Sequence, residues 1–148
     1  MTKDLSNLMK INGKDAWTTF YAFLGERNGE LKNLNSLMRT PAIKELTTVD
    51  FHERNGVELP DKIQLTFKAI ERPLQFWIVE SSLPLLMNKY NAFMKEVTSG
   101  NITIDITGWR QCKLIYQDMV SQPEIHEEPG RVAAAIFTVK FLEPNPSV

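Results

Sequence analysis

Cysteine is nearly absent from this chain: Cys112 stands alone among 148 residues. A lone thiol excludes an intrachain disulfide and any metal centre that needs several thiolates, and it fits a reducing compartment. No apolar run approaches the roughly 18 consecutive residues of a membrane span. Met1-Thr2-Lys3-Asp4 leads into polar sequence rather than the apolar core of a signal peptide. Together these predict synthesis and folding in the cytoplasm and no membrane partner. A surplus of one charge is missing as well. The net charge of −1 gives no electrostatic ground for nucleic acid or an anionic membrane as the main partner.

Glycine is scarce too, with seven residues and neither the dinucleotide-binding fingerprint nor a P-loop among them. No Gly-x-Ser-x-Gly elbow is present. What remains is an ordinary globular composition. The hydrophobic share of 43% argues against global disorder, and the length suits one domain over 1–148. There is no internal repeat, low-complexity segment or linker.

Residues 1–8 carry little pattern and read as a flexible arm. Asn12-Gly13 sits between two strand-compatible pieces, the signature of a tight hairpin, and Asn28-Gly29 and Asn55-Gly56 mark further turns. Leu31, Leu34, Leu37 and Met38 recur at helical spacing, which permits a short helix or an irregular packed loop. Residues 41–61 are broken by Pro41 and Pro60 and read as a long exposed loop or hairpin. Lys62 to Ala69 alternates, placing Ile63, Leu65, Phe67 and Ala69 on one face of a strand.

The main helix is predicted over about 82–98. Ser81 or Ser82 caps it, Pro84 fits its first turn and Gly100 follows its end. Leu83, Leu86, Met87, Tyr90, Phe93, Met94 and Val97 form its apolar stripe. Asn101 to Thr107 alternates with its isoleucines on one face, and Gly108-Trp109 marks a turn. Cys112, Leu114 and Tyr116 line the next strand, Pro123 to Gly130 reads as a polar connection, and Val132 to Leu142 is the last strand. The expectation is α+β: an antiparallel β-sandwich or barrel flanked by one main helix.

Several residues are of types that can carry chemistry. Cys112 lies in an apolar alternation, where a buried thiol is commonplace. Glu124, His126 and Glu128 alternate, as do Asp50, His52 and Arg54, and the two sets together could form a mixed His/carboxylate metal site. Their setting in short polar segments favours solvated side chains. Asp105 and Asp118 could pair for hydrolysis, yet they alternate with apolar residues as outward strand residues do. Lys62, Lys68 and Lys113 are scattered among acids and make no nucleic-acid stripe. No catalytic, cofactor-binding or metal residue is assigned and no cofactor is expected. Thr66, Thr103, Thr107, Ile115 and Thr138 on outer strand faces suit burial against a neighbour.

The order of these elements resembles the tail-tube and distal-tail protein superfamily of long-tailed phages. The likeness rests on the Asn-Gly hairpin running into Asp15-Ala16-Trp17, the loop-rich middle, Lys89-Tyr90-Asn91-Ala92-Phe93 on the single helix, Thr98-Ser99-Gly100 before a strand, Lys113-Leu114-Ile115-Tyr116, and Phe137-Thr138-Val139-Lys140-Phe141. It spans about residues 9–142. The resemblance implies a non-catalytic virion protein made in a bacterial host. Its subunits would form hexameric rings or a tube with other tail proteins, with DNA passing only as cargo through a central channel. Segment 41–61 would then be the arm to a neighbour. A small adaptor of related fold, monomeric or dimeric, is the alternative, and a metal-dependent enzyme using His52 and His126 the third reading.

Overall fold

In the computed structural model, Asn12 and Gly13 take φ of 52° and 80°, the left-handed pair that a two-residue hairpin demands. Met9–Ile11 (β1) therefore folds back as Lys14–Asp15 (β2). Asp15 caps the short helix Ala16–Phe20 (α1), its carboxylate accepting from the Thr18 N–H at 3.2 Å. Ala22–Leu24 (β3) and Lys32–Met38 (α2) follow. The structure describes residues 5–27, 29–44, 49–50, 57–58, 65–120, 122–128 and 131–146. Within the predicted N-terminal arm, the Asn7 N–H donates to Asp15 at 2.9 Å and the Leu8 carbonyl accepts from Thr107 at 3.1 Å.

Val49–Asp50 (β4) and Val57–Glu58 (β5) pair antiparallel. Ile43 and Phe67 bridge, flanked by hydrogen bonds from Lys44 N to Thr66 O and from Lys68 N to Ala42 O. Asn55-Gly56, His52 and Arg54 lie outside the described residues. Of the strand expected over 62–69, residues 62–64 lie outside the described residues, and the remainder is corrected. Its residues 65–69 hold that isolated bridge, and the long strand is Ile70–Glu80 (β6). Pro73 is compatible with it because residues 73, 75 and 79 share one edge, where Gln75 N–H and Val79 N–H bond away from the neighbouring C-terminal strand. The missing donor thus breaks no ladder bond there.

Leu83–Val97 (α3) matches the expected helix, with Pro84 in its first turn, but Ser82 at the N-cap makes no capping side-chain hydrogen bond. Asn101–Ile106 (β7), Arg110–Met119 (β8), Glu124–Glu128 (β9) and Val132–Glu143 (β10) complete the chain. The predicted polar connection over 123–130 thus contains a strand. Both its faces are exposed, so no alternation betrayed it.

The main sheet runs β2-β1-β7-β8-β10-β6-β3, with β9 also on β10, and it curls into a half-barrel. Among the described residues these strands form one curled sheet, with β4–β5 a separate two-stranded pair. β6 pairs with β10 along residues 133–143, so β9 (at 132–136) and β8 (at 139–142) share the opposite edge of β10. The register shift at Lys140/Phe141 leaves Gln117 of β8 unopposed, a bulge that sharpens the curl.

Helix α3 lies against β6 and β10. Phe93 sits at its centre, with ring centroids 4.9 Å from Phe76, 5.5 Å from Phe137 and 5.8 Å from Phe20. Edge-on pairs of this kind each add about 0.5–1.5 kcal/mol beyond area burial. Leu86, Phe93 and Val97 are buried, whereas Leu83 and Met87 at the edge of the predicted stripe are exposed.

Candidate assembly surfaces

Helix α2 is docked with polar residues buried and apolar ones exposed. Asn33, Ser36 and Leu37 face inward, and Leu31, Leu34 and Met38, at helical spacing, are 57%, 40% and 61% exposed. The buried amide of Asn33 explains the orientation. Its Oδ1 accepts the Gln75 N–H at 2.6 Å while its Nδ2 donates to the Gln75 and Gly25 carbonyls at 3.0 Å, so it continues the β6 ladder where β3 stops. The Gln75 side chain donates back to the Gly25 carbonyl at 3.0 Å.

At the other end of α2, buried Arg72 collects the last carbonyls. It donates to Ser36 O at 2.6 Å and Arg39 O at 3.0 Å, and its Nε to Glu143 at 2.8 Å. Arg110 donates to Leu37 O and stands 3.9 Å from Glu143. Two cations thus satisfy the carbonyl end of a seven-residue helix too short to persist alone. Beside them opens a cleft of about 360 Å³ lined by Met38, Arg39, Arg72, Trp109 and Arg110. Trp109 is 48% exposed, and Ile43 and Leu65 are exposed at the hairpin base.

A second aromatic surface surrounds β3. Trp17 lies 6.0 Å from Phe23 and 5.7 Å from Tyr21, and Phe23 lies 6.0 Å from Trp77. Lys89 sits 4.6 Å above the Tyr21 ring, a cation–π contact. An apolar groove of about 200 Å³ runs between β3 and β1, floored by Met9, Trp17, Phe23 and Ile106.

The residues whose types could carry chemistry are dispersed. Asp105 pairs with Gln111 across β7 and β8, so Asp118 lies seven residues further along β8, about 24 Å at ~3.4 Å per residue. That separation is far beyond any shared proton. Glu124, His126 and Glu128 do alternate along β9, with His126 Nε2 3.6 Å from Glu124. Arg27, however, holds Glu124 at 2.6 Å and keeps its carboxyl below the usual range. No metal-binding cluster occurs among the described residues. Cys112 is fully enclosed, and burial pushes its thiol above the ordinary value. No described helix is long and apolar enough to cross a membrane.

Arg72 and Glu143 escaped the reading of the sequence, although a signal was there. Arg72 falls in phase with Ile70, Leu74, Phe76 and Ile78, and Glu143 with Val139 and Phe141. Opposite charges on two apolar faces mark a buried pair. No protein-family model matches the chain, and no curated protein matches it.

Proposed function

We propose that this chain is a non-catalytic structural subunit of a phage or phage-like tail, assembling through protein contacts into a hexameric ring or a tube. The outward apolar face at α2 carries the reading: Asn33 and Ser36 are buried with Leu37, and Leu31, Leu34 and Met38 are presented to solvent. Exposed apolar residues grouped in this way mark an interaction surface rather than a monomer's exterior. The half-exposed aromatics around β3 and Trp109 add anchors of the type that dominates interface energetics. A curled sheet with a helix against it is compatible with the resemblance drawn from the sequence, and the β4–β5 pairing lies within the segment assigned as the arm.

Light scattering with negative-stain imaging tests the proposal. A ring or tube is expected, and Leu34→Asp with Met38→Asp should reduce it to a folded monomer. Replacing residues 45–64 by a short turn should do the same, because the Ile43–Phe67 bridge can still close the base. An unchanged oligomer after that replacement refutes the arm. A wild-type monomer at every concentration refutes the ring and favours the adaptor.

A further inference from the structure

We infer that the acidic β9 edge of one copy docks into the arginine cleft of the next, a head-to-tail contact that rests on the assembly reading above. The two surfaces are complementary in charge. Three guanidinium groups, Arg39, Arg72 and Arg110, meet one carboxylate, Glu143, leaving a balance of 3 − 1 = +2 at the cleft. Around β9, Glu80, Glu124, Glu127 and Glu128 outnumber Arg27 and Arg131, leaving −4 + 2 = −2. With a whole-chain charge of only −1, these balances reflect segregation, not excess.

They are complementary in detail as well. Among the described residues, Arg39 and Glu127 carry no ion-pair partner, while Arg72, Arg110, Glu124 and Glu128 are already engaged. Arg39 and Glu127 are both exposed. Ile125, two residues before Glu127 on the same face of β9, is 41% exposed, and Met38 and Trp109 flank the cleft as its apolar counterpart. An apolar residue and an acid two apart on an edge strand fit a slot of one tryptophan and one free arginine.

The surfaces cannot meet within one chain. Glu127 pairs with Ala133 at the start of β10, and Glu143 ends that strand ten residues later, about 34 Å along the strand at ~3.4 Å per residue. The occupant of the cleft is therefore a second copy. A contact joining two different patches is heterologous, and repetition closes it into a ring or extends it into a tube.

Charge reversal tests the pairing. R39E and E127R should each raise the concentration for half-assembly at least about tenfold, with unchanged circular dichroism and melting because both side chains are exposed. The double variant R39E/E127R should reassemble. So should an equimolar mixture of the two single variants, since every contact then joins opposite charges. If wild type assembles and neither single variant is weakened, or if the mixture fails to recover, this docking is wrong and the assembly reading stands. If wild type never assembles, both fall.

Discussion

Arg72 and Glu143 meet diagonally across β6 and β10, Nε to Oε1 at 2.8 Å, with side chains 1% and 5% exposed. The arginine's Nη1 donates to the Ser36 and Arg39 carbonyls at the end of α2. One buried ion pair therefore also fixes the helix that presents the exposed apolar ridge. Core electrostatics and surface presentation are coupled through a single side chain.

Removing either partner leaves a buried charge uncompensated. Arg72→Leu or Glu143→Leu is expected to cost about 3–5 kcal/mol, because desolvation is no longer offset. Arg72→Lys should recover little, since one ammonium cannot serve the carboxylate and two carbonyls in fixed directions. Urea unfolding checks this. A midpoint close to wild type for Arg72→Leu would mean that water enters the site and solvates Glu143.

Gly25 rests against the face of Trp77, and a Cβ built on it would overlap the indole. Gly25→Ala should cost about 1–3 kcal/mol through overpacking and shift Trp77 fluorescence. By contrast, Gly13→Ala meets open space and strains only the positive φ of the hairpin, so a loss nearer 1 kcal/mol is expected. Thermal melts of the two variants should rank them in that order.

The elements legible from sequence were those whose burial follows a period. Helix α3, the isoleucine face of β7 and the alternation of β10 from Ala133 to Phe141 all obey it. Strand β6 was hidden by Pro73 and by polar residues, Arg72 and Gln75, buried through specific partners. Helix α2 was readable as apolar spacing, but its orientation was not. Asn33 and Arg72 outweighed three apolar side chains because an unpaired buried backbone group costs more than an exposed leucine. Strand β9 has no buried face, so nothing periodic existed to be read.

Cys112 should behave as a core side chain. Burial raises its pKa, so the folded state disfavours the thiolate that reacts. Ellman's reagent at pH 8 should leave the native protein almost unmodified and label it fully in denaturant. Linkage has a definite sign here. The contribution to stability is complete below the ordinary thiol value near 8.5 and is lost as pH rises towards the higher folded value. Cys112→Ala should flatten that alkaline decline at a cost of about 1 kcal/mol for the lost group. Rapid native labelling would show that the strand opens on the timescale of the assay.

Glu96 on α3 joins the helix to the N-terminal hairpin, accepting from Asn12 Nδ2 at 2.9 Å and Lys14 Nζ at 3.2 Å. Asn12 in turn extends the β1–β7 ladder, its Oδ1 accepting the Thr103 N–H at 2.9 Å. The hydrogen bond from Asn12, followed by that from Lys14, holds the Glu96 carboxyl below its usual value. A depressed folded pKa stabilises above the ordinary carboxylate value near 4.3, and the gain disappears as pH falls through the folded value. Glu96→Gln should therefore be less stable than wild type at pH 7, with the gap closing below about pH 4. Urea midpoints measured from pH 7 to pH 3 give the comparison. Parallel curves for the two proteins would mean that the carboxylate contributes nothing to holding the hairpin against the helix.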